Sequence, residues 1–296
     1  LVLQNFQWKS FIRTQIGAGE FPLWNPHQFS GIAFFAAGQQ STLYPLSILY
    51  YVLPLAAAYG WFTVISLWMA GVFMFAFTRG IGIGRTGGAV AGITYQLSAF
   101  FVISAVFPMI IASAVWLPLI LLMIHLLITK PKHAPIWISI GAIALGCNIL
   151  AGHVEITYYT LIIAAYYAAA RLIHLLIRDR QFAPILRHGV SMAIMVGIGL
   201  ALGAVQFIPL FEAASNNFRS DATTFQQVLD WGHPFRDVIQ FAIPNFYGNP
   251  SHHTIFDVFT GQTVPLTVNA LGEARFHTEW GIKNYVEAAL YVGILP

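Results

Sequence analysis

The sequence predicts an all-α polytopic membrane protein, a helical bundle with large loops on one face, and three observations lead there. The 296 residues are 57% hydrophobic and only 8% charged, where a soluble domain carries about 25% charged residues. Six apolar runs are long enough to cross a bilayer, and in lipid only a helix satisfies its own backbone over such a run. The basic residues gather in alternate loops between those runs. The same composition excludes a soluble globular domain, a disordered chain and a collagenous one.

Residues 1–56 form the first region, a loop with short interfacial helices expected over 5–18 and 43–55. Gly17-Ala18-Gly19 should end the first of these. The apolar run Leu43–Leu55 is too short to span and is bracketed by Pro45 and Pro54. Spans follow over Ala57–Thr78, Gly87–Val106, Met109–Thr129, Ile136–Ala151, Ile156–Leu176 and Gly189–Phe211, a six-span bundle filling 57–211. The fourth is the shortest. Residues 212–284 form a long loop region, in which the Thr/Val-rich stretch Thr263–Val268 suits a small β element. Residues 285–296 begin a further span and stop short of a full one. Because the chain starts at Leu1 rather than Met and stops inside an apolar run, it reads as an internal fragment of a longer protein.

Charge orients the spans. Arg79 and Arg85 flank the first short loop, Lys130 and Lys132 lie in the third, and Arg171, Arg178, Arg180 and Arg187 bracket the fifth. The turns at Phe107–Pro108 and Gly152–Glu155 carry no Lys or Arg. The positive-inside rule places the basic loops in the cytoplasm of a bacterial plasma membrane. Residues 1–56, both bare turns and residues 212–284 then lie on the extracytoplasmic face. Every acidic residue except Asp179 falls there or at a helix end facing it, as do His27, His153, His233, His252, His253 and His277. Between their ends the spans carry only amides at depth: Gln96, Asn148 and Gln206. Ion-coupled carriers use buried ionisable relays, so this pattern counts against a proton-driven carrier.

Several motifs resolve to their plainer reading. Gly82-Ile83-Gly84-Arg85-Thr86-Gly87 matches the dinucleotide fingerprint, but that fingerprint works only between a strand and a helix, and here it joins two spans. The single cysteine, Cys147, forms no internal disulfide. No HExxH or paired CxxC supports a zinc site, so no metal ligand is assigned. No basic stripe supports nucleic-acid binding.

Other motifs carry chemistry. Gly152-His153-Val154-Glu155 puts an ionisable pair where a span begins. Glu155 suits a general base or the ligand of a divalent metal, beside its plainer role as a helix-start charge. Gly19-Glu20-Phe21-Pro22-Leu23-Trp24-Asn25-Pro26-His27 is dense in turn formers and aromatics. Trp24 is either an interfacial belt residue or a stacking platform for a sugar, with Asn25 and His27 as hydrogen-bond donors. Gln39-Gln40-Ser41-Thr42 with Tyr44, and Asn245-Phe246-Tyr247-Gly248, offer amides, hydroxyls and rings for the same purpose. The candidate site is therefore His153 and Glu155 for catalysis, with Trp24, Asn25, His27, Gln39, Tyr44, Asn245 and Tyr247 for substrate.

The blocks Gly19–Pro26 with Phe29 and Gly31, Gln39 with Tyr44-Pro45, Gly152-His153 with Glu155, Asn245–Gly248, and Asn284-Tyr285-Val286-Glu287 with Tyr291-Val292-Gly293 together resemble the YfhO family of bacterial multi-spanning membrane proteins. The resemblance implies a GT-C-like helical bundle with large outer-face loops. It implies an inverting glycosyltransferase that moves a sugar from a polyprenyl-phosphate donor to a cell-envelope polymer or lipid acceptor. It also implies an acid a few residues before Gln4, outside this sequence. A transporter of a lipid or envelope-polymer precursor and a non-catalytic envelope assembly factor are the competing readings.

Overall fold

The computed structural model describes residues 2–215, together with 224–225, 238–239, 243, 254–257 and 261–265. The chain divides into two compact units, Leu1–Gln96 with Ala105–Ser220, and Leu97–Ser104 with Asp221–Pro296.

In the first unit a π-helical turn, Val2–Phe6, leads into α1, Gln7–Gly17. The expected stop is present. Gly19 takes a φ of +79°, the Glu20 amide reaches the Gln15 carbonyl at 2.9 Å and the Gly19 amide reaches Ile16 at 3.0 Å. This pair of bonds is the glycine-ended helix cap. A two-residue hairpin follows, β1 Trp24–Asn25 against β2 Ile32–Ala33. In place of one helix over 43–55, a 3₁₀ turn at Pro45–Ser47 runs into the short α2, Ile48–Val52. Pro54 then precedes α3, Leu55–Gly80, whose 26 residues are about 39 Å long, ample for a bilayer.

The next apolar run is not one continuous helix. It divides into α4, Arg85–Gln96, and α5, Ala99–Ser104. Ser98 lies just before α5, with its carbonyl accepting the Val102 amide, and serine is a strong helix-start residue. Gly87, Gly88 and Gly92 also weaken α4 as a helix former. Five helical stretches of the described residues, rather than six, are long and apolar enough to cross a membrane.

The remaining spans are α6, Pro108–Ala114, continued by α7, Leu117–Thr129; α8, Ala134–Leu150; α9, Val154–Asp179; and α10, Phe182–Ser215. The break between α6 and α7 has a cause. Pro118 has no amide hydrogen to give the Ala114 carbonyl, and the Tyr95 hydroxyl supplies that bond instead at 3.2 Å. The neighbouring Ser113 carbonyl accepts from Asn148 Nδ2 at 2.8 Å.

Ile120, Ile124, Leu127, Leu145 and Met195 form the apolar core shared by α7, α8 and α10. Glycines bring the helices together. A Cβ on Gly199 or Gly203 would press into Leu145 or Ile149 of α8 at under 3.0 Å, the close approach that small residues four apart allow. Short turns make consecutive spans reverse direction. One pole of this unit therefore carries exposed Arg79, Arg85, Lys130, Lys132, Arg178 and Arg187. The other carries the 152–153 turn and the docked segment 24–54.

In the second unit β3, Thr254–Asp257, pairs antiparallel with β4, Gln262–Pro265, across Gly261 at a φ of +67°. This strand overlaps the start of the stretch that the sequence marked as β-prone.

Candidate functional site

The N-terminal segment is tied to the pole opposite the basic loops. Ser41 Oγ donates to the Ala151 carbonyl at 2.6 Å, and Gln206 Nε2 donates to the Phe35 carbonyl at 3.0 Å. Gly152 holds a φ of +84°, and a Cβ there would collide with the Gly38 carbonyl oxygen. Glycine is thus required twice over, by the left-handed backbone and by the contact. The 38–41 loop and the α8–α9 turn form one joint. The same segment holds α1, since Arg13 Nη1 donates to the Leu53 carbonyl at 3.0 Å and Lys9 Nζ donates to the Gln40 carbonyl.

Between α1 and the turn after β1 lies a polar cavity of about 430 Å³. From α1 it takes Gln7, Trp8, Phe11 and Gln15; from the turn it takes Asn25, His27 and Gln28. The network is specific. Gln28 Oε1 accepts from Trp8 Nε1 at 3.2 Å and from Asn25 Nδ2 at 3.3 Å. Asn25 Oδ1 accepts the His27 amide at 2.9 Å, a side-chain turn that suits the Asn-Pro-His sequence. The His27 and Phe11 rings meet edge to face with centroids 6.2 Å apart. Among the described residues, no Asp, Glu, Lys or Arg lines the cavity. Amides, hydroxyls of Ser10 and Thr14, and aromatic edges suit a neutral, polyhydroxylated group.

Asn25 and His27 are therefore brought together, Asn25 buried and His27 exposed at the rim. Trp24 is 56% exposed and covers Gly31. Gln39 is exposed in the 38–41 joint. Tyr44 is fully buried against Phe62, with ring centroids 5.9 Å apart, where it packs the core rather than facing a ligand. Asn245 and Tyr247, like His252, His253 and residues 284–293, lie outside the described residues.

His153 is the N-cap of α9, its Nδ1 accepting the Ile156 amide at 3.4 Å. That bond needs an unprotonated Nδ1, which leaves the proton of the neutral ring on Nε2. Burial pulls the His153 pKa below its ordinary value, against a smaller upward pull from Glu155. Glu155 is exposed in the first turn of α9. Neither residue lines the cavity that holds Asn25 and His27. Among the described residues, no three His, Cys, Asp or Glu side chains gather as a metal site.

Sequence reasoning missed Gln7, Trp8, Phe11, Gln15 and Gln28. Trp8, Phe11 and Gln15 recur at i, i+3 and i+7, so their shared helix face was available from spacing. The partner turn was not. The deep amides turn out to serve the fold: Asn148 bonds Ser113, and Gln206 bonds the Phe35 carbonyl.

No curated protein and no solved structure matches the chain. The family described as bacterial membrane protein YfhO matches residues 10–271. With apolar spans, a polar joint on one pole and a match over most of its length, the chain belongs to the YfhO family of bacterial membrane proteins.

Proposed function

We propose that this protein is a GT-C-type inverting glycosyltransferase that moves a sugar from a polyprenyl-phosphate donor to a cell-envelope polymer or lipid. The observation that carries the reading is the uncharged cavity between α1 and the Asn25–Gln28 turn, whose amides and rings suit a sugar. Family membership supports a bacterial membrane location. The pole bearing this cavity lies opposite the basic loops Arg79–Arg85, Lys130–Lys132 and Arg178–Arg187, which favours the extracytoplasmic face.

In this reading Asn25, His27 and Gln28 hold the sugar, and exposed Trp24 and Gln39 extend the surface toward the acceptor. Glu155 takes the proton of the acceptor hydroxyl as that oxygen attacks the anomeric carbon and the lipid phosphate leaves. His153, neutral and with Nε2–H as donor, hydrogen-bonds an oxygen of the reacting groups. A divalent metal on Glu155 is compatible with this chemistry. Asn245 and Tyr247 remain candidates for substrate contact.

The transporter reading needs a polar path through the spans. Asn148 and Gln206 instead bond backbone carbonyls, and Gln96 packs on Gly71 of the neighbouring helix. This disfavours transport.

The test is transfer of labelled sugar from a polyprenyl-phosphate donor by the full-length protein in membranes. Glu155→Gln should lower transfer by about 10²-fold or more, the scale of a lost general base, with insertion unchanged. Unchanged transfer would remove Glu155 from the mechanism.

A further inference from the structure

Lys9 lies on the face of α1 opposite the sugar-type cavity and is 3% exposed. Its ammonium donates to the Gln40 carbonyl and sits 4.4 Å from the centre of the Tyr50 ring. Among the described residues no carboxylate stands within ion-pair distance of it. A buried charge is normally paired, because desolvation without a counter-charge is expensive. Burial accordingly lowers its pKa to about 7.

The surroundings share the deficit. Asn5 is one turn earlier on the same helix face, 2% exposed, and its Nδ2 has no partner. Gln40 is 1% exposed, and neither Nε2 nor Oε1 is bonded. The hydroxyls of Tyr50 and Tyr59, whose rings are 4.8 Å apart, are also unbonded. Buried polar groups in folded proteins are nearly always paired, so a cluster of unpaired ones marks an absent partner. Nearly all of these groups can donate. A cation is disfavoured, and an acceptor-rich anion completes them.

We propose that Lys9, Asn5 and Gln40 form a binding site for a phosphoryl oxyanion, separated by α1 from the cavity for the neutral group. The choice of a phosphate rests on the glycosyltransferase reading; the need for an anion rests on these residues alone. In this arrangement the phosphate oxygens take the Lys9 ammonium hydrogens not used by Gln40, the Asn5 amide and the Gln40 amide.

The test uses the full-length protein in nanodiscs with three probes: a polyprenyl phosphate, the polyprenol of the same length, and inorganic phosphate. The phosphate lipid should bind at least tenfold more tightly than the alcohol. At pH 8 its binding should be accompanied by proton uptake as Lys9 becomes fully charged. Lys9→Met should abolish both the preference and the uptake. Competition by inorganic phosphate would identify a free-phosphate site; its absence with retained lipid preference would identify the lipid headgroup. Equal binding of phosphate lipid and alcohol, or an unaltered preference in Lys9→Met, would overturn the proposal. If that variant fails to insert, the wild-type preference for the phosphate lipid over the alcohol decides, and no preference overturns it. Sugar transfer is measured separately. Phosphate binding without transfer would sink the enzymatic reading alone, and transfer with no role for Lys9 would sink this one alone.

Discussion

His153 and Glu155 stand two residues apart and have different surroundings. The imidazole closes the start of α9 through the Ile156 amide, while the carboxylate projects from the same turn, exposed. His153→Ala should cost about 1 kcal/mol of stability by loss of the cap, and His153→Asn should restore most of it. The sign with pH follows from the lowered pKa. The folded state holds the neutral ring, so the unfolded chain binds the extra proton first. The cap's contribution is then present above about pH 6.5 and is lost as pH falls through the lower folded value. Thermal unfolding in detergent at pH 8 and pH 5 measures this: the wild-type advantage over the alanine variant should shrink at pH 5. Gly152→Ala is more severe, because a left-handed φ alone costs roughly 1–2 kcal/mol and the Gly38 carbonyl blocks the Cβ. A detergent melting curve unchanged by that substitution would contradict the joint. The His-Glu turn was legible as a motif, and its helix-start geometry was one of the two readings that the sequence left open. That Tyr44 would be core was not legible. A tyrosine in an aromatic-rich segment looks the same whether it meets a ligand or Phe62.

Among the elements, the break between α6 and α7 shows how a membrane helix survives an interruption. Pro118 removes one bond, and Tyr95 and Asn148 from neighbouring helices engage the carbonyls around the break. Lipid offers no water to do this. Asn148→Leu should therefore cost about 1 kcal/mol or more by leaving the buried Ser113 carbonyl only the long 3.4 Å bond from the Trp116 amide. The check is the thermal midpoint of the purified protein. An unaltered midpoint would mean that the carbonyl finds another partner. Five long helices were legible from hydropathy because run length in lipid leaves the backbone little choice. The break in the second run was not legible, because hydropathy sums over a window and ignores where Ser98 can start a helix. Gly19 correctly marked the end of α1. In α4, Gly92 packs closely on Gly71 of α3.

Across the first unit, one pole carries the basic loops and the other holds the joint, the cavity and the buried Lys9. Residues far apart in sequence meet there: Ser41 with Ala151 and Phe35 with Gln206. Such pairings have no periodic signature, which is why the sequence showed the participants but not the cavity. Sidedness has a direct check. On a Cys147→Ser background, a cysteine at position 132 should resist an impermeant reagent in intact cells, and one at position 28 should react. The reverse pattern would turn the molecule over. Activity and sidedness meet in a single measurement: sugar transfer by the full-length protein in sealed vesicles of defined orientation, supplied with a water-soluble, short-chain donor analogue. The account predicts labelled product in right-side-out vesicles and none in sealed inverted ones until they are permeabilised. Product formed by sealed inverted vesicles, or none in either orientation, would contradict it.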